Sequence, residues 1–225
     1  MGWLRGIEPT ASGIANLIKR FYFHLKKHCF IIKIPMTGIN LKEYKKAYDF
    51  AFKLHSKQVR KGNNIPYFTH LSSVSNLIIE NGGSTTEAIG GLLHDAVEDQ
   101  GGLKVLKIIN DKFGKKVATI VDECSDAVTN PKPPWKERKI KYINSIKNKS
   151  QSGILVSLCD KIHNANCIIS DCRKIGDKLW QRFSAPKKEV FWYYESLCKE
   201  FKKHLKNHSS LVLEFELKIQ VMKKL

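Results

Sequence analysis

The sequence lacks several features that would assign it to a class at once. No apolar run reaches the ~18–20 residues that a membrane-spanning helix requires. None of the six cysteines forms a C-x-x-C pair, and no internal repeat is visible. A membrane span, a zinc–cysteine site and a repeat architecture therefore have little support.

The cysteines also lack the arrangement of a disulfide framework. Several stand beside apolar residues, as Cys159 and Cys167 do. Free thiols of this kind are typical of buried positions in a reducing compartment. The sequence therefore predicts a cytoplasmic protein with structural cysteines.

Acidic residues are scarce. Lys and Arg number 39 against 21 Asp and Glu, which gives a formal net charge of +18. A field this positive attracts polyanions, whether nucleic acid, an anionic membrane surface or a highly phosphorylated small molecule. The charge alone does not choose among these partners. Because the lysines are scattered rather than clustered, the charge is also typical of a generally basic, Lys-rich surface.

Residues 1–35 differ from the rest of the chain. Glycines near the start lead to a basic, aromatic patch at 19–23 and a short apolar run. A signal peptide is disfavoured because no small-residue cleavage site follows, and a leader that lies on a membrane surface stays open. We interpret 1–35 as a leader that is non-native or disordered, with Met36 as the natural start.

From about residue 40 onward the periodicity is helical. Apolar residues recur at steps of three and four, and few segments alternate with a period of two. Ser84 and Glu87 form a capping box ahead of a helix that is expected to reach about Asp99. Further helices are expected at 103–112, 115–128, about 135–146, 154–169, 187–205 and 210–224. The pattern predicts an all-α bundle of roughly eight to ten helices in a single domain, 36–225.

The pair His94-Asp95 interrupts the apolar stretch 92–97. A buried carboxylate is costly unless it is paired or bound to a metal. An imidazole nitrogen beside a carboxylate oxygen suits Mn²⁺, Fe²⁺ or Zn²⁺. His70 ends the segment Pro66-Tyr67-Phe68-Thr69-His70, and Asp160 stands in the middle of an apolar helix, where a carboxylate again requires a partner. Four ligands of these types would leave coordination positions open, as in a catalytic metal site.

Three motifs appear in a fixed order along the chain. They are Arg60-Lys61 ahead of Pro66-Tyr67-x-x-His70, then His94-Asp95-x-x-Glu98-Asp99, then Asp160-x-x-His163-Asn164. This order resembles the hydrolase domain of RelA/SpoT homologues over roughly residues 41–200. The short chain, with no synthetase region after it, resembles the stand-alone small alarmone hydrolases.

The resemblance implies an HD fold that binds one Mn²⁺ through His70, His94, Asp95 and Asp160. It implies Glu98 and Asp99 as the catalytic acidic pair, which positions water and handles protons. The remaining residues that it implies would contact the nucleotide or its phosphates: Arg60, Lys61, Asn164, Arg138, Lys139 and Tyr142. At 165–167 the chain has Ala-Asn-Cys where many family members end in Thr, so guanine versus adenine stays open.

The implied reaction is hydrolysis of the 3′-pyrophosphate of (p)ppGpp, the alarmone of the stringent response. Alternative substrates are adenine alarmones, NADPH and the pyrophosphorylated 3′ end of tRNA, the last of which would make the chain an antitoxin to a cognate synthetase toxin. A binding protein that holds the alarmone without cutting it, and a generic HD nucleotidase, are further alternatives. The intact Glu98-Asp99 pair argues against a protein that only binds the alarmone.

Overall fold

The computed structural model describes residues 38–62, 64–126, 131 and 133–225. The leader 1–35 and the start at Met36 lie outside the described residues. In the described part, α-helices and two short 3-10 segments, 146–148 and 176–182, carry almost all regular structure. An isolated bridge between Val59 and Pro66 is the exception. The predicted all-α fold is confirmed. No described helix has the length and apolar character to cross a membrane.

The α-helices are numbered in chain order. They are α1 Leu41–Leu54, α2 Phe68–Glu80, α3 Thr85–Leu93, α4 Ala96–Gln100, α5 Gly102–Phe113, α6 Lys115–Cys124, α7 Trp135–Ser145, α8 Gln151–Ile175, α9 Lys187–His204 and α10 Ser209–Lys224.

The helix starts follow local capping chemistry. The Ser84 hydroxyl accepts a hydrogen bond from Glu87 N, and the Glu87 carboxylate accepts one from Ser84 N, so the predicted capping box opens α3. Asn40 caps α1 and Ser150 caps α8 through the same kind of side-chain acceptor. Pro134 precedes α7, where its missing N–H costs nothing.

Three helix boundaries differ from the sequence predictions. The helix expected to continue to about Asp99 ends at Leu93, and α4 starts at Ala96, with His94 and Asp95 between them. The helix expected over 115–128 ends at Cys124, where Ser125 turns to extended backbone. The apolar segment at 154–169 belongs to a longer helix, α8, whose C-cap is Gly176 at φ 60°.

Helix α8 lies at the centre of the larger apolar core. Its buried side chains include Leu155, Leu158 and Ile162, and they pack with α9 and α10 through residues such as Phe201 and Phe215. A second apolar cluster contains buried residues from each of the six helices α1–α6, among them Leu71 and Leu92. The start of α2, the end of α3 and the middle of α8 therefore meet between the two apolar clusters. The polar side chains of His70, His94, Asp95 and Asp160 lie at this meeting point.

Candidate metal centre and nucleotide cavity

The four predicted metal ligands come together. His70 lies in the first turn of α2, His94 and Asp95 lie at the break between α3 and α4, and Asp160 lies in the middle of α8. His94 Nε2 is 3.0 Å from Asp95 Oδ2 and 3.7 Å from Asp160 Oδ1. His70 Nε2 is 3.2 Å from Asp160 Oδ1 and 3.6 Å from Asp95 Oδ2. Ligand atoms of His70, His94 and Asp95 all lie within 4.8 Å of one another.

The helix break explains how adjacent residues point to one place. Neighbouring side chains on a regular α-helix are about 100° apart, so a continuous helix would send His94 and Asp95 in different directions. Asp95 instead has φ −97° and ψ −1°, and α4 restarts after it. The break therefore creates the His-Asp pair, and the correction to the helix prediction falls on the site itself.

The hydrogen bonds of the two histidines leave Nε2 for a ligand. His94 Nδ1 lies 2.8 Å from Gly91 O and donates to it. Burial opposes charge on this ring, but Asp95 and Asp160 raise the pKa of His94 well above its ordinary value, so the second ring proton lies on Nε2. A metal ion would take the place of that proton. That Nε2 atom is buried and makes no hydrogen bond of acceptable geometry, although Asp95 Oδ2 is near. His70 Nδ1 lies 2.8 Å from His163 Nδ1. A proton on His70 Nδ1 would again leave Nε2 facing the carboxylates.

The electrostatics of the cluster favour a cation. Burial opposes charge on Asp95 and Asp160, yet His94 and Lys161 among other neighbours hold the pKa of both carboxyls well below the ordinary value. Burial and the adjacent His70 lower the pKa of His163 to about 4. A neutral His163 ring is able to accept at Nδ1 from His70 Nδ1. Two ionised carboxylates and two imidazole nitrogens are a donor set for a divalent metal ion. The residues present fit such an ion.

A cavity of about 640 Å³ begins beside this cluster. Three of its lining residues each contact a cluster residue. Tyr67 donates from its hydroxyl to Asp95 Oδ2 at 2.6 Å, Lys161 Nζ lies 2.5 Å from Asp160 Oδ2, and His163 contacts His70. Among the described lining residues, the cations are Arg60, Lys61, Lys139, Lys161, Lys174 and Arg182, and the acid is Asp171. The cavity is therefore suited to a polyanion.

Four of the predicted substrate contacts line the cavity: Arg60, Lys61, Lys139 and Asn164. The loop that carries Arg60 is closed by Arg60 N donating to Ile65 O at 2.8 Å. Asn164 accepts from Arg60 Nη2 at 2.8 Å and donates from Nδ2 to Asp160 Oδ1 at 2.5 Å. Asn164 thus couples a cavity cation to a residue of the metal cluster.

The structure does not bring Arg138 and Tyr142 into this cavity. Arg138 Nη1 binds both oxygens of Asp126, at 2.7 and 2.6 Å. Tyr142 is buried in the core and its hydroxyl lies 2.8 Å from Ser157 Oγ. Substrate contact by these two side chains gains no support from the geometry and stays a prediction.

The predicted acidic pair follows the cluster on α4. Asp99 Oδ2 accepts from Gln58 Nε2 at 2.8 Å, and Glu98 Oε2 lies 3.5 Å from Asp126 N. Sequence reasoning missed Gln58, Asp126 and the role of Tyr67. Tyr67 stands in the quoted Pro66-Tyr67-x-x-His70 motif, which was the one local signal for it.

A family model described as "HD domain" matches residues 47–190. A curated relative, the guanosine-3′,5′-bis(diphosphate) 3′-pyrophosphohydrolase MESH1 of Xenopus tropicalis, is 36% identical over 52% of this chain and 65% of its own. A probable GTP pyrophosphokinase of Mycobacterium leprae is 30% identical over 70% of this chain and 18% of its own. The chain thus spans less than two thirds of the length of these relatives.

A solved structure has a fold similar to that of this chain. It belongs to a metazoan orthologue of SpoT described as hydrolysing ppGpp, and it superimposes with a TM-score of 0.64 at 20% identity, over 79% of this chain and 94% of that one. At this identity the similarity shows the fold. The predicted resemblance of the chain to HD hydrolases of the RelA/SpoT type is confirmed by the family model and these relatives.

Proposed function

The chain belongs to the HD domain family, and we propose that it hydrolyses the 3′-pyrophosphate of (p)ppGpp, which yields GDP or GTP and pyrophosphate. One observation carries this proposal: a largely buried His-His-Asp-Asp cluster adjoins a cavity whose described lining residues include six cations. A substrate with phosphates at two positions matches both features. The names of the relatives support the choice of a guanosine bis(diphosphate).

We propose Mn²⁺ as the ion, held by His70, His94, Asp95 and Asp160. When bound, it would supply Lewis-acid polarisation of the phosphoryl group and a more acidic water. His163 and Gly91 would fix the two imidazole rings through Nδ1, and Tyr67 would fix the Asp95 carboxylate.

The residues around the cluster have separate roles in the proposed reaction. Glu98 and Asp99 would orient the attacking water and take its proton. The water attacks the phosphorus attached to the ribose 3′-oxygen, the bond between them breaks, and the 3′-oxygen gains a proton as pyrophosphate leaves. Lys161 and Lys139 would offset the negative charge that develops on the phosphoryl oxygens.

Product analysis tests this proposal. With ppGpp and Mn²⁺ the protein should release GDP and pyrophosphate in equal amounts, and water labelled with ¹⁸O should place the label in pyrophosphate. Orthophosphate as the product would point to a generic nucleotidase. Tight ppGpp binding without any product would point to a protein that holds the alarmone. The adenine analogue and NADPH, run in parallel, would rank the bases.

A second candidate substrate is the pyrophosphorylated 3′ end of tRNA. The net charge of +18 favours it, because excess Lys and Arg bind a phosphate backbone through counterion release. Binding of tRNA that weakens steeply between 50 and 200 mM salt, together with pyrophosphate release from modified tRNA, would support this reading. A cognate synthetase toxin as partner and a cytoplasmic location stay predictions.

A further inference from the structure

Helix α1 has a second apolar face besides the one that joins the core. Ala47 and Ala51 face inward and are fully buried. Leu41, Tyr48 and Phe52 lie within about 40° of one another around the helix axis, centred about 100° away from the two alanines. These three side chains are 74%, 40% and 56% exposed. A surface helix of a globular domain ordinarily has one apolar stripe, so the outward one indicates a contact beyond the fold.

Ring contacts fix the shape of this outward face, which we name the outer apolar face (Leu41, Tyr48 and Phe52). The ring of Phe68 lies edge-on to that of Tyr48, with centroids 4.7 Å apart, and to that of Phe52, with centroids 5.3 Å apart. Phe68 is buried at the start of α2, so it connects both exposed rings to the core. The rings are therefore presented to solvent in a fixed arrangement.

Lysines border the outer apolar face on the side away from the core. Lys42, Lys46 and Lys53 are exposed and lie together on the helix, centred about 120° from the outer apolar face. The helix has four lysines in all against two acids, Glu43 and Asp49, and each of these acids is already paired with a lysine. The border therefore has a net positive charge, which attracts an anionic surface.

Aromatic rings, an aliphatic side chain and bordering lysines on one exposed helix face are typical of a helix that lies on an anionic membrane surface. Aromatic rings are favoured at the level of the lipid headgroups. Long lysine side chains lay their carbon stems along apolar surface while the ammonium groups reach the lipid phosphates. The face also stands apart from the proposed chemistry, because none of its three residues lines the nucleotide cavity.

We propose that the outer apolar face and its bordering lysines dock the protein on the surface of a bilayer that contains anionic lipids. The contact is peripheral, with α1 in the plane of the headgroups. The net charge of +18 attracts the protein to the surface, and the two aromatic rings then enter the headgroup region. Docking requires neither the metal ion nor the proposed hydrolysis, so it stands if that activity is absent.

Co-sedimentation of the full chain with lipid vesicles tests this inference. Vesicles of phosphatidylcholine with about one-third phosphatidylserine should bind the protein near physiological ionic strength, and vesicles of phosphatidylcholine alone should bind it much more weakly. Phe52→Gln should weaken binding to the anionic vesicles about tenfold, because one ring no longer enters the headgroup region. Leu213→Gln is the matched control, since Leu213 is 44% exposed on α10 among aliphatic neighbours, and it should bind like the parent.

A charge-reversal pair tests the role of the bordering lysines. Lys53→Glu should weaken binding to the anionic vesicles about tenfold, because a cation near the headgroups is replaced by an anion. Lys224→Glu makes the same change in net charge at an exposed position on α10 and should have a much smaller effect. Equal losses in the two variants would show that only the overall charge matters, which would overturn the assignment to α1.

Leu41→Gln keeps the test informative if Phe52→Gln fails to fold, because Leu41 is the most exposed residue of the outer apolar face. Vesicle binding that is unchanged in both variants would overturn the proposal. Sedimentation velocity distinguishes another occupant of the face. A dimer that dissociates in these variants, with vesicle binding unchanged, would assign the outer apolar face to a second copy of this chain instead of a lipid surface.

Discussion

Gln58 Nε2 donates a 2.8 Å hydrogen bond to Asp99 Oδ2, across 41 residues of sequence. The amide is oriented by its other end, because Gln58 Oε1 lies 2.7 Å from His55 Nδ1 and 2.5 Å from Gln100 Nε2. With two donors on the oxygen, only the nitrogen is left for Asp99. His55, which sequence reasoning placed outside the site, therefore acts on it through Gln58.

Replacing Gln58 by Glu keeps the shape of the side chain but turns its attraction to Asp99 into a repulsion between two carboxylates. A second carboxylate against Asp99 opposes its ionisation, so the lower limit of the active pH range should move to higher pH. We also expect kcat to fall about tenfold with KM nearly unchanged, since a charged hydrogen bond is lost at a positioning residue. The pH–rate profile measures this. Gln220→Glu, at an exposed position on α10, should leave the profile in place.

Tyr67 supports the metal cluster from the cavity side. Burial and the nearby Asp95 raise its pKa, so the hydroxyl stays a donor to Asp95 at 2.6 Å. Tyr67→Phe should weaken Mn²⁺ binding about 10- to 100-fold, because removal of a hydrogen-bond partner of a metal ligand typically has an effect of this size. Calorimetric titration with Mn²⁺ measures the effect. Tyr48→Phe, on exposed α1 surface, should bind Mn²⁺ like the parent; an equal loss there would refute the role of Tyr67.

Gly91 lets α3 pack closely against α2 directly before the metal cluster. A Cβ on Gly91 would come 2.6 Å from Ile78 Cδ1 and 3.1 Å from Ser75 Cα, and Gly91 O accepts from His94 Nδ1. Gly91→Ala should destabilise the fold by about 1–3 kcal/mol and also weaken Mn²⁺ binding, because the ring of His94 must move.

Gly90→Ala is the matched control for that substitution. A Cβ on Gly90 would come 2.7 Å from Ile120 Cγ2. The carbonyl that accepts from His94 Nδ1 is that of Gly91 and not that of Gly90. We expect it to reduce the free energy of unfolding, measured by denaturant titration, with Mn²⁺ affinity intact. Loss of metal binding in both variants would contradict the specific role of Gly91.

Asp126 joins the end of α6 to the start of α7 by accepting from Arg138 and Lys139. Burial acts against its charge, but Lys139 and Arg138 lower its pKa below the ordinary value. A depressed carboxyl pKa stabilises the fold above the unfolded pKa near 4, and this stabilisation is lost as pH falls through the folded pKa. Asp126→Asn should therefore cost about 3 kcal/mol at pH 7 and less near pH 3, because pH 3 is below the unfolded pKa and part of the stabilisation is already lost there.

Unfolding by urea at the two pH values measures the Asp126 contribution. Asp49→Asn is the comparison, since Asp49 forms an exposed pair with Lys45 at 2.6 Å. It should change stability by less than about 1 kcal/mol at either pH. An Asp126→Asn deficit that persists undiminished at pH 3 would refute the ionic explanation.

Local sequence patterns predicted the parts of the molecule that depend on local chemistry. The capping box of Ser84 and Glu87 opens α3 as expected, and the three motifs supply all four cluster residues. The break at His94-Asp95 was missed because residues 88–99 favour a continuous helix, whereas the partners of His94 and Asp95 lie on α2 and α8, far away in sequence. The Gln58–Asp99 and Arg182–Asp171 contacts are likewise tertiary, so sequence spacing gave no indication of either.

The predicted substrate contacts also differ in how well local sequence placed them. Arg60 and Asn164, which flank or lie within the ligand motifs, line the cavity next to Asp160. Tyr142 lies one turn beyond a basic segment, a position that does not reveal which way the ring points. In the fold that ring is buried and its hydroxyl pairs with Ser157.

Pyrophosphate release from ppGpp, with and without Mn²⁺, tests the central claim most directly. The parent protein should release pyrophosphate only with the ion, and Asp95→Asn should abolish release while retaining the helical circular-dichroism spectrum. Asp111→Asn, at an exposed position on α5, should behave like the parent. Release that survives Asp95→Asn, or its absence from folded, Mn²⁺-loaded parent protein, would contradict the account.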